Sequence, residues 1–312
     1  MASVKADIPA VQLERVAKRY GAVEAVRDVS FSLPQGGRVA LVGHNGAGKT
    51  TLMKLMLGLA RPSAGRLLVL GRDPSEGAAE TRRRIGWLPE SVTFNGALTG
   101  REILRFFARL KGENAAAADA MLDRVGLAEA ARRRVGTYSK GMRQRLGLAQ
   151  ALIGAPRALL LDEPTTGLDP EMRQGLYDIL AGLSGAGTTV LLSSHALEEL
   201  EGRVERVVIL DRGRLVADGT LAELRALARL PVRLRLTLAG ATPPDWLASA
   251  GGLRRIAARA VEIPCAPEDK MALLRRAAED PAITDIELQA PTLDELYAHF
   301  LRGQGGERGG TA

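Results

Sequence analysis

The chain has 312 residues, 46% of them hydrophobic and 25% charged, with a formal net charge of +7. That length holds one large domain and a smaller one, each with its own core, in the composition range of ordinary soluble proteins. The single Cys265 excludes an internal disulfide, the three histidines give no metal-ligand spacing, and no apolar run approaches the roughly 18–20 residues that span a bilayer. Residues 1–7 lack the apolar core of a secretory leader, which places the chain in the cytoplasm. Clusters such as Arg82-Arg83-Arg84 and Arg132-Arg133-Arg134 read as solvated faces, and no nucleic-acid partner is expected.

In chain order, residues 11–33 alternate apolar and polar (Val11, Leu13, Val16, then Val26, Val29, Phe31, Leu33), which predicts antiparallel strands. Between them Lys18-Arg19-Tyr20-Gly21 is a turn carrying an aromatic ring, with Tyr20 facing either the core or solvent. Residues 38–42 form a short apolar strand, and 52–57 a helix closed by Gly58. Further strands are expected at 65–71 and 84–88, the second stopped by Pro89. From Thr99 to about Gly154 the pattern turns helical. Thr99 and Glu102 make a capping box, and Ile103, Phe106, Phe107 and Leu110 are expected on one buried face. An α/β rhythm returns with a strand at 158–161, a helix at 170–183, a strand at 188–194 and a hairpin through 207–216. Near Leu230-Pro231 the pattern starts afresh as β-α-β-β-α-β plus a helix, the order of a ferredoxin-like unit. Residues 303–312 are Gly-rich and expected to be a disordered tail.

Between the 38–42 strand and its helix stands Gly43-His44-Asn45-Gly46-Ala47-Gly48-Lys49-Thr50, followed by Thr51. Strand, glycine-rich loop and helix form the setting in which this spacing closes backbone N–H groups around a β-phosphate. Lys49 adds a charge near the β- and γ-phosphates, and the Thr50 hydroxyl suits Mg²⁺. The strand at 158–161 ends in Asp162-Glu163, one carboxylate toward Mg²⁺ and the next able to polarise a water.

Between these motifs, Tyr138-Ser139-Lys140-Gly141-Met142-Arg143-Gln144-Arg145 resembles the signature of ATP-binding cassette (ABC) ATPases. The other motifs of that family match in order over roughly residues 10–225. The resemblance implies that Tyr20 stacks on adenine, that Gly43, Asn45, Gly46, Ala47, Gly48, Lys49, Thr50 and Thr51 hold ATP, and that Thr166-Gly167-Leu168-Asp169 is a D-loop. It makes Glu163 the base and His195 the switch histidine, with Mg²⁺ held by Thr50, Asp162 and Glu90. Lys140 departs from a usual signature glycine, and Glu90 stands where most cassettes carry glutamine. The implied fold is an α/β P-loop NTPase with a RecA-like core, an antiparallel β subdomain and a helical subdomain. The nucleotide-binding domain would cover 10–228, with the helical part at about 91–155. A small α+β domain for dimerisation would cover 231–302. The implied mechanism is a head-to-tail homodimer in which Ser139 and Gly141 of each copy reach the other's ATP.

Several stretches, including residues 88–94, 137–150 and 291–297, are similar to the NosF-type group of this family. That likeness implies a NosY-like membrane permease subunit, a periplasmic NosD-like protein and a task in copper-centre maturation of nitrous-oxide reductase. Two alternatives stand beside it. One is the ATPase of another exporter, for drugs or polysaccharide; the other is a cassette protein without membrane subunits. The location implied is the inner face of the plasma membrane, bound through the permease.

Overall fold

The computed structural model describes residues 8–76, 79–249 and 251–306. Residues 1–7, where no leader is expected, and the tail from 307 on lie outside the described residues. The chain divides into two compact units at Thr220/Leu221. Among the described residues no helix is long and apolar enough to cross a membrane.

The first unit opens with β1 (Val11–Tyr20) and β2 (Val23–Leu33), which pair antiparallel. The chain then runs through β3 (Arg38–Val42), α1 (Lys49–Met56) and β4 (Ala64–Val69), and β4 returns to β1 to give a three-stranded sheet of order β2-β1-β4. Next come α2 (Ala79–Arg83), β5 (Ile85–Leu88) and three helices, α3 (Gly100–Lys111), α4 (Ala115–Arg124) and α5 (Lys140–Leu152). The chain re-enters the core through β6 (Ala158–Leu161), α6 (Pro170–Gly185), β7 (Thr189–Ser194), β8 (Arg206–Asp211) and β9 (Arg214–Gly219). These strands and β3 form a six-stranded sheet of order β5-β6-β7-β3-β8-β9, parallel except for the edge strand β9. Burial on both faces explains why β6 and β7 read as continuous runs rather than alternating ones.

The main core lies between the two sheets. Leu52, Met53, Leu55 and Met56 of α1 are fully buried against Val39 and Leu41 of β3 and against Leu13, Val16 and Val29 of the smaller sheet. Each such side chain is worth about 1.5–3 kcal/mol of transfer free energy. The helix that begins at the phosphate loop is therefore clamped from both sides.

Thr99 caps α3 with the expected box: its amide donates to Glu102 Oε2 at 2.8 Å and its hydroxyl accepts the Glu102 amide at 3.2 Å. The buried face of α3 differs from expectation. Ile103, Leu104 and Ala108 are buried, whereas Phe106 and Leu110 are 50% and 59% exposed. The buried stripe follows i, i+1, i+5, while Arg101 and Arg105 of the same helix pair with Asp119 of α4.

The second unit starts earlier than the sequence suggests. Residues 221–228 form α7 (Leu221–Ala228), which packs on α10 (Leu293–Gly306), and Arg225 donates to the Pro291 carbonyl at 2.9 Å. Between them run β10 (Val232–Leu238), α8 (Asp245–Ala248), β11 (Arg254–Ala257), β12 (Ala260–Cys265), α9 (Lys270–Glu279) and β13 (Ile283–Gln289). The sheet order β11-β12-β10-β13, all antiparallel, splits each βαβ pair around a strand of the other. Leu234, Leu236, Val261, Ile263 and Cys265 bury one face with Leu247 of α8 and Ala277 of α9. Residues 303–306, expected in the tail, continue α10, because each helical amide finds its acceptor four residues back even where the residue is glycine.

Leu52→Ala should lower the unfolding free energy by about 2–5 kcal/mol, read as a lower urea midpoint. The equivalent change at the exposed Leu227 should shift it by less than about 0.5 kcal/mol.

Candidate nucleotide site

The site is built at the carboxyl ends of β3, β6 and β7, three neighbours in the larger sheet. β3 ends at Val42 and the chain passes through the glycine-rich loop into α1. Two glycines are required sterically. A Cβ on Gly43 would lie 2.6 Å from the Leu210 carbonyl oxygen, and one on Gly48, at φ +105°, would lie 2.7 Å from that of Ala25. The loop is also tied from outside: His44 Nε2 meets Asp211 Oδ1 at 2.7 Å, and the Gly213 amide donates to the Ala47 carbonyl at 2.9 Å.

Lys49 folds back over this loop and is only 7% exposed. Its ammonium donates to the carbonyl of Gly43 at 2.5 Å and to that of His44 at 3.3 Å, and it lies 4.0 Å from Glu163 Oε1. Thr50 donates its hydroxyl to Asp162 Oδ2 at 2.9 Å. Bonds of about 2.0–2.1 Å to one Mg²⁺ place adjacent octahedral oxygens about 2.9 Å apart. The Thr50–Asp162 pair thus has the edge length of such a coordination shell. Among the described residues no cluster of three or more His, Cys, Asp or Glu could hold a metal. An ion here would take most of its ligands from phosphate and water.

Sequence reasoning missed Ser193. This residue of β7 donates to Asp162 Oδ1 at 2.6 Å and accepts the Glu163 amide at 2.8 Å, so one hydroxyl orients both carboxylate residues. Its signal was present: a serine near the end of the strand TVLLSS, following an apolar run and two residues before His195. Glu163 adopts φ +49°, a left-handed conformation that costs a non-glycine residue about 1–3 kcal/mol. The strained turn aims its carboxylate back over the sheet end, where Oε2 meets His195 Nδ1 at 2.8 Å.

A cavity of about 740 Å³ opens over these groups. Asn45, Gly46, Ala47, Gly48, Lys49, Thr50 and Thr51 line it, with Glu90, Asp162, Glu163 and His195 opposite. Glu24, Arg27 and Arg212, which the sequence did not single out, also line it. Tyr20 does not. It stands at the end of β1, 47% exposed, with Lys18 Nζ 4.9 Å above its ring. Its hairpin partner Val23 reaches the cavity wall instead. Ser139, Gly141 and Asp169 are likewise absent from the wall. Ser139 caps α5 by accepting the Met142 amide at 3.2 Å, Gly141 packs toward Met172, and Asp169 caps α6 by accepting the Met172 amide at 2.8 Å. Asp169 borders a second groove of about 470 Å³ between α5 and α6.

Comparison with known proteins agrees with this construction. Residues 26–166 match the family model described as ABC transporter. The chain is 39% identical to the daunorubicin resistance ATP-binding protein DrrA3 of Streptomyces coeruleorubidus, over 93% of this chain and 95% of that protein. It is 30% identical to the linearmycin resistance ATP-binding protein LnrL of Bacillus subtilis (strain 168), over 93% and 97% respectively. A solved ATP-binding subunit of an ABC transporter superposes with a TM-score of 0.66 at 31% identity, covering 70% of this chain and 92% of that one. The chain belongs to the ABC transporter family and is one of its ATP-binding, ATP-hydrolysing subunits.

Proposed function

We propose that this ATPase drives an exporter of drug-type compounds, working as a head-to-tail homodimer on a membrane permease subunit at the inner face of the plasma membrane. The observation that carries the reading is a site complete on one side and lacking on the other. Lys49, Thr50, Asp162, Glu163 and His195 converge on one cavity, while Ser139, Gly141 and Asp169 face elsewhere. A second copy, turned head to tail, brings those three residues to the outer side of the first copy's ATP. Two relatives matching over nearly their whole length are named for drug resistance, which favours a drug exporter over other cargo. The NosF-type reading, with its copper-centre task and NosD-like periplasmic partner, draws no support from those relatives and gives way to the exporter.

In this reading the loop amides and Lys49 hold the β- and γ-phosphates, and Tyr20 closes on the adenine from the rim. A bound Mg²⁺ would be held by Thr50 and Asp162 with Glu90 nearby, and would supply charge neutralisation to the phosphates. Glu163 takes the proton of the attacking water; its carboxylate is already oriented by the Ser193 contact to its amide and by His195. His195 keeps its exposed Nε2 edge for the γ-phosphate. Loss of that phosphate removes the charge that the two copies share, and the dimer loosens. The second unit carries no catalytic constellation, and we assign it to holding two copies together between cycles.

Glu163→Gln should lower ATP turnover by about 100-fold or more while leaving an ATP-dependent dimer on size-exclusion chromatography; turnover at the parent rate would remove Glu163 as the base. Deleting the chain from Leu221 onward should preserve nucleotide binding and weaken dimerisation in sedimentation, and undiminished dimerisation would refute the role given to the second unit. Tagged protein recovered from detergent-solubilised host membranes should carry a polytopic permease, identified by mass spectrometry. Repeated recovery alone or with ribosomes would sink the transport reading.

A further inference from the structure

The loop 166–169 and the segment after His195 leave the site in different directions, and one side chain joins them. Arg173 lies one turn into α6, its amide bonded to the Asp169 carbonyl at 3.0 Å. Its guanidinium donates through Nη2 to the Leu168 carbonyl at 3.2 Å and pairs through Nη1 with Glu199. Glu199 sits in the short 3₁₀ turn Leu197–Leu200, four residues past His195. The same side chain therefore touches the loop that carries Asp169 and the turn that follows His195.

The surroundings make this link firm. Both partners are mostly buried, with side-chain exposures of 31% for Arg173 and 21% for Glu199. One turn further along α6, Tyr177 is buried with Arg203 4.4 Å from its ring centre. Burial first, and then the charge of Glu199, push the Tyr177 hydroxyl up to about 12, so it stays a neutral phenol beside the pair. On another side the exposed Lys140 stem runs past the loop: a Cβ on Gly167, at φ +77°, would come within 2.8 Å of Lys140 Cε and Nζ. Arg173 is thus bonded to this loop through the Leu168 carbonyl.

We propose that Arg173 is a positioning residue that couples the 166–169 loop to His195 through Glu199. The inference rests on the head-to-tail dimer proposed above. When Asp169 is engaged by the second copy, the Leu168 carbonyl and the guanidinium are held together, and Glu199 keeps the segment after His195 fixed, so that the 2.8 Å contact of His195 with Glu163 persists through the cycle. A planar guanidinium can hold a carbonyl and a carboxylate in fixed relative geometry, which a lysine ammonium on a flexible stem cannot. Arg173→Lys is therefore expected to fail as Arg173→Ala does.

The test uses the full-length chain. Arg173→Ala, Arg173→Lys and Glu199→Gln should each lower kcat about 10- to 100-fold, with the Kd for a fluorescent ATP analogue and the melting temperature close to the parent's. Combined Arg173→Ala and Glu199→Gln should be no worse than either alone, as for two residues acting as one unit. Parent-like kcat, full rescue by lysine, additive losses, or a fall in nucleotide affinity matching the fall in kcat would each overturn the coupling. In a Glu163→Gln background the Arg173→Ala protein should still dimerise with ATP. Failure of Glu163→Gln itself to dimerise would instead refute the dimer reading on which the coupling depends.

Discussion

The structure depends on keeping a cation out of water at the edge of a sheet. Lys49 is buried to 7% exposure, and an ammonium so placed requires oxygen partners. It takes two carbonyls from its own loop and lies 4.0 Å from Glu163. A compact charge released from hydration and aimed into a cavity is suited to a polyphosphate, which offers several anionic oxygens at once. The glycines, the short strands and the clamped helix can all be read as means of holding that one ammonium. Where Gly43 passes the Leu210 carbonyl and Gly48 passes that of Ala25, a single methyl group would force the loop outward and expose the cation.

The opposing wall obeys the same logic with reversed sign. Asp162 and Glu163 are nearly buried, and each has a definite set of partners: Thr50 and Ser193 for Asp162, His195 and Lys49 for Glu163. Two carboxylates so close would repel if both pointed the same way. The left-handed backbone of Glu163 separates them, sending one toward the Thr50 hydroxyl and the other toward the histidine. Strain of about 1–3 kcal/mol is tolerated because β6 and β7 over-determine the turn from both sides.

Much of this was legible in the residues. The phosphate loop, the paired acids and the capping box are short-range patterns in which each residue type is dictated by a local steric or hydrogen-bonding need, and all lie where their spacing put them. What escaped was set by tertiary contacts. Ser193 matters because β7 lies beside β6, which no local pattern announces. α3 packs through Ile103, Leu104 and Ala108, so Phe106 and Leu110 look outward although their spacing puts them on one face with Ile103. The boundary at Leu221 moved because α7 finds its partner α10 some seventy residues later. The NosF-type likeness rested on stretches such as 137–150, which lie in motifs that resemble those of other exporter-type members of the family and so do not separate one cargo from another.

The asymmetry of the cavity explains why so much polar structure lies outside it. Ser139 spends its hydroxyl on the Met142 amide and Asp169 its carboxylate on the Met172 amide, so both are fixed as helix caps rather than left mobile. Each cap stabilises its own helix, yet both residues are turned from their own chain's cavity. In the head-to-tail pair proposed above they would become the second wall, and the helix that Ser139 caps would direct its N-terminal amides and partial positive charge at phosphate. Lys140 then gains a meaning beyond substitution for glycine. Its stem lies beside Gly167, so the helix that Ser139 caps and the 166–169 loop are neighbours within one chain. In the head-to-tail pair proposed above, these two neighbouring segments would be presented together to the other copy's phosphate, although neither lines the cavity of its own chain.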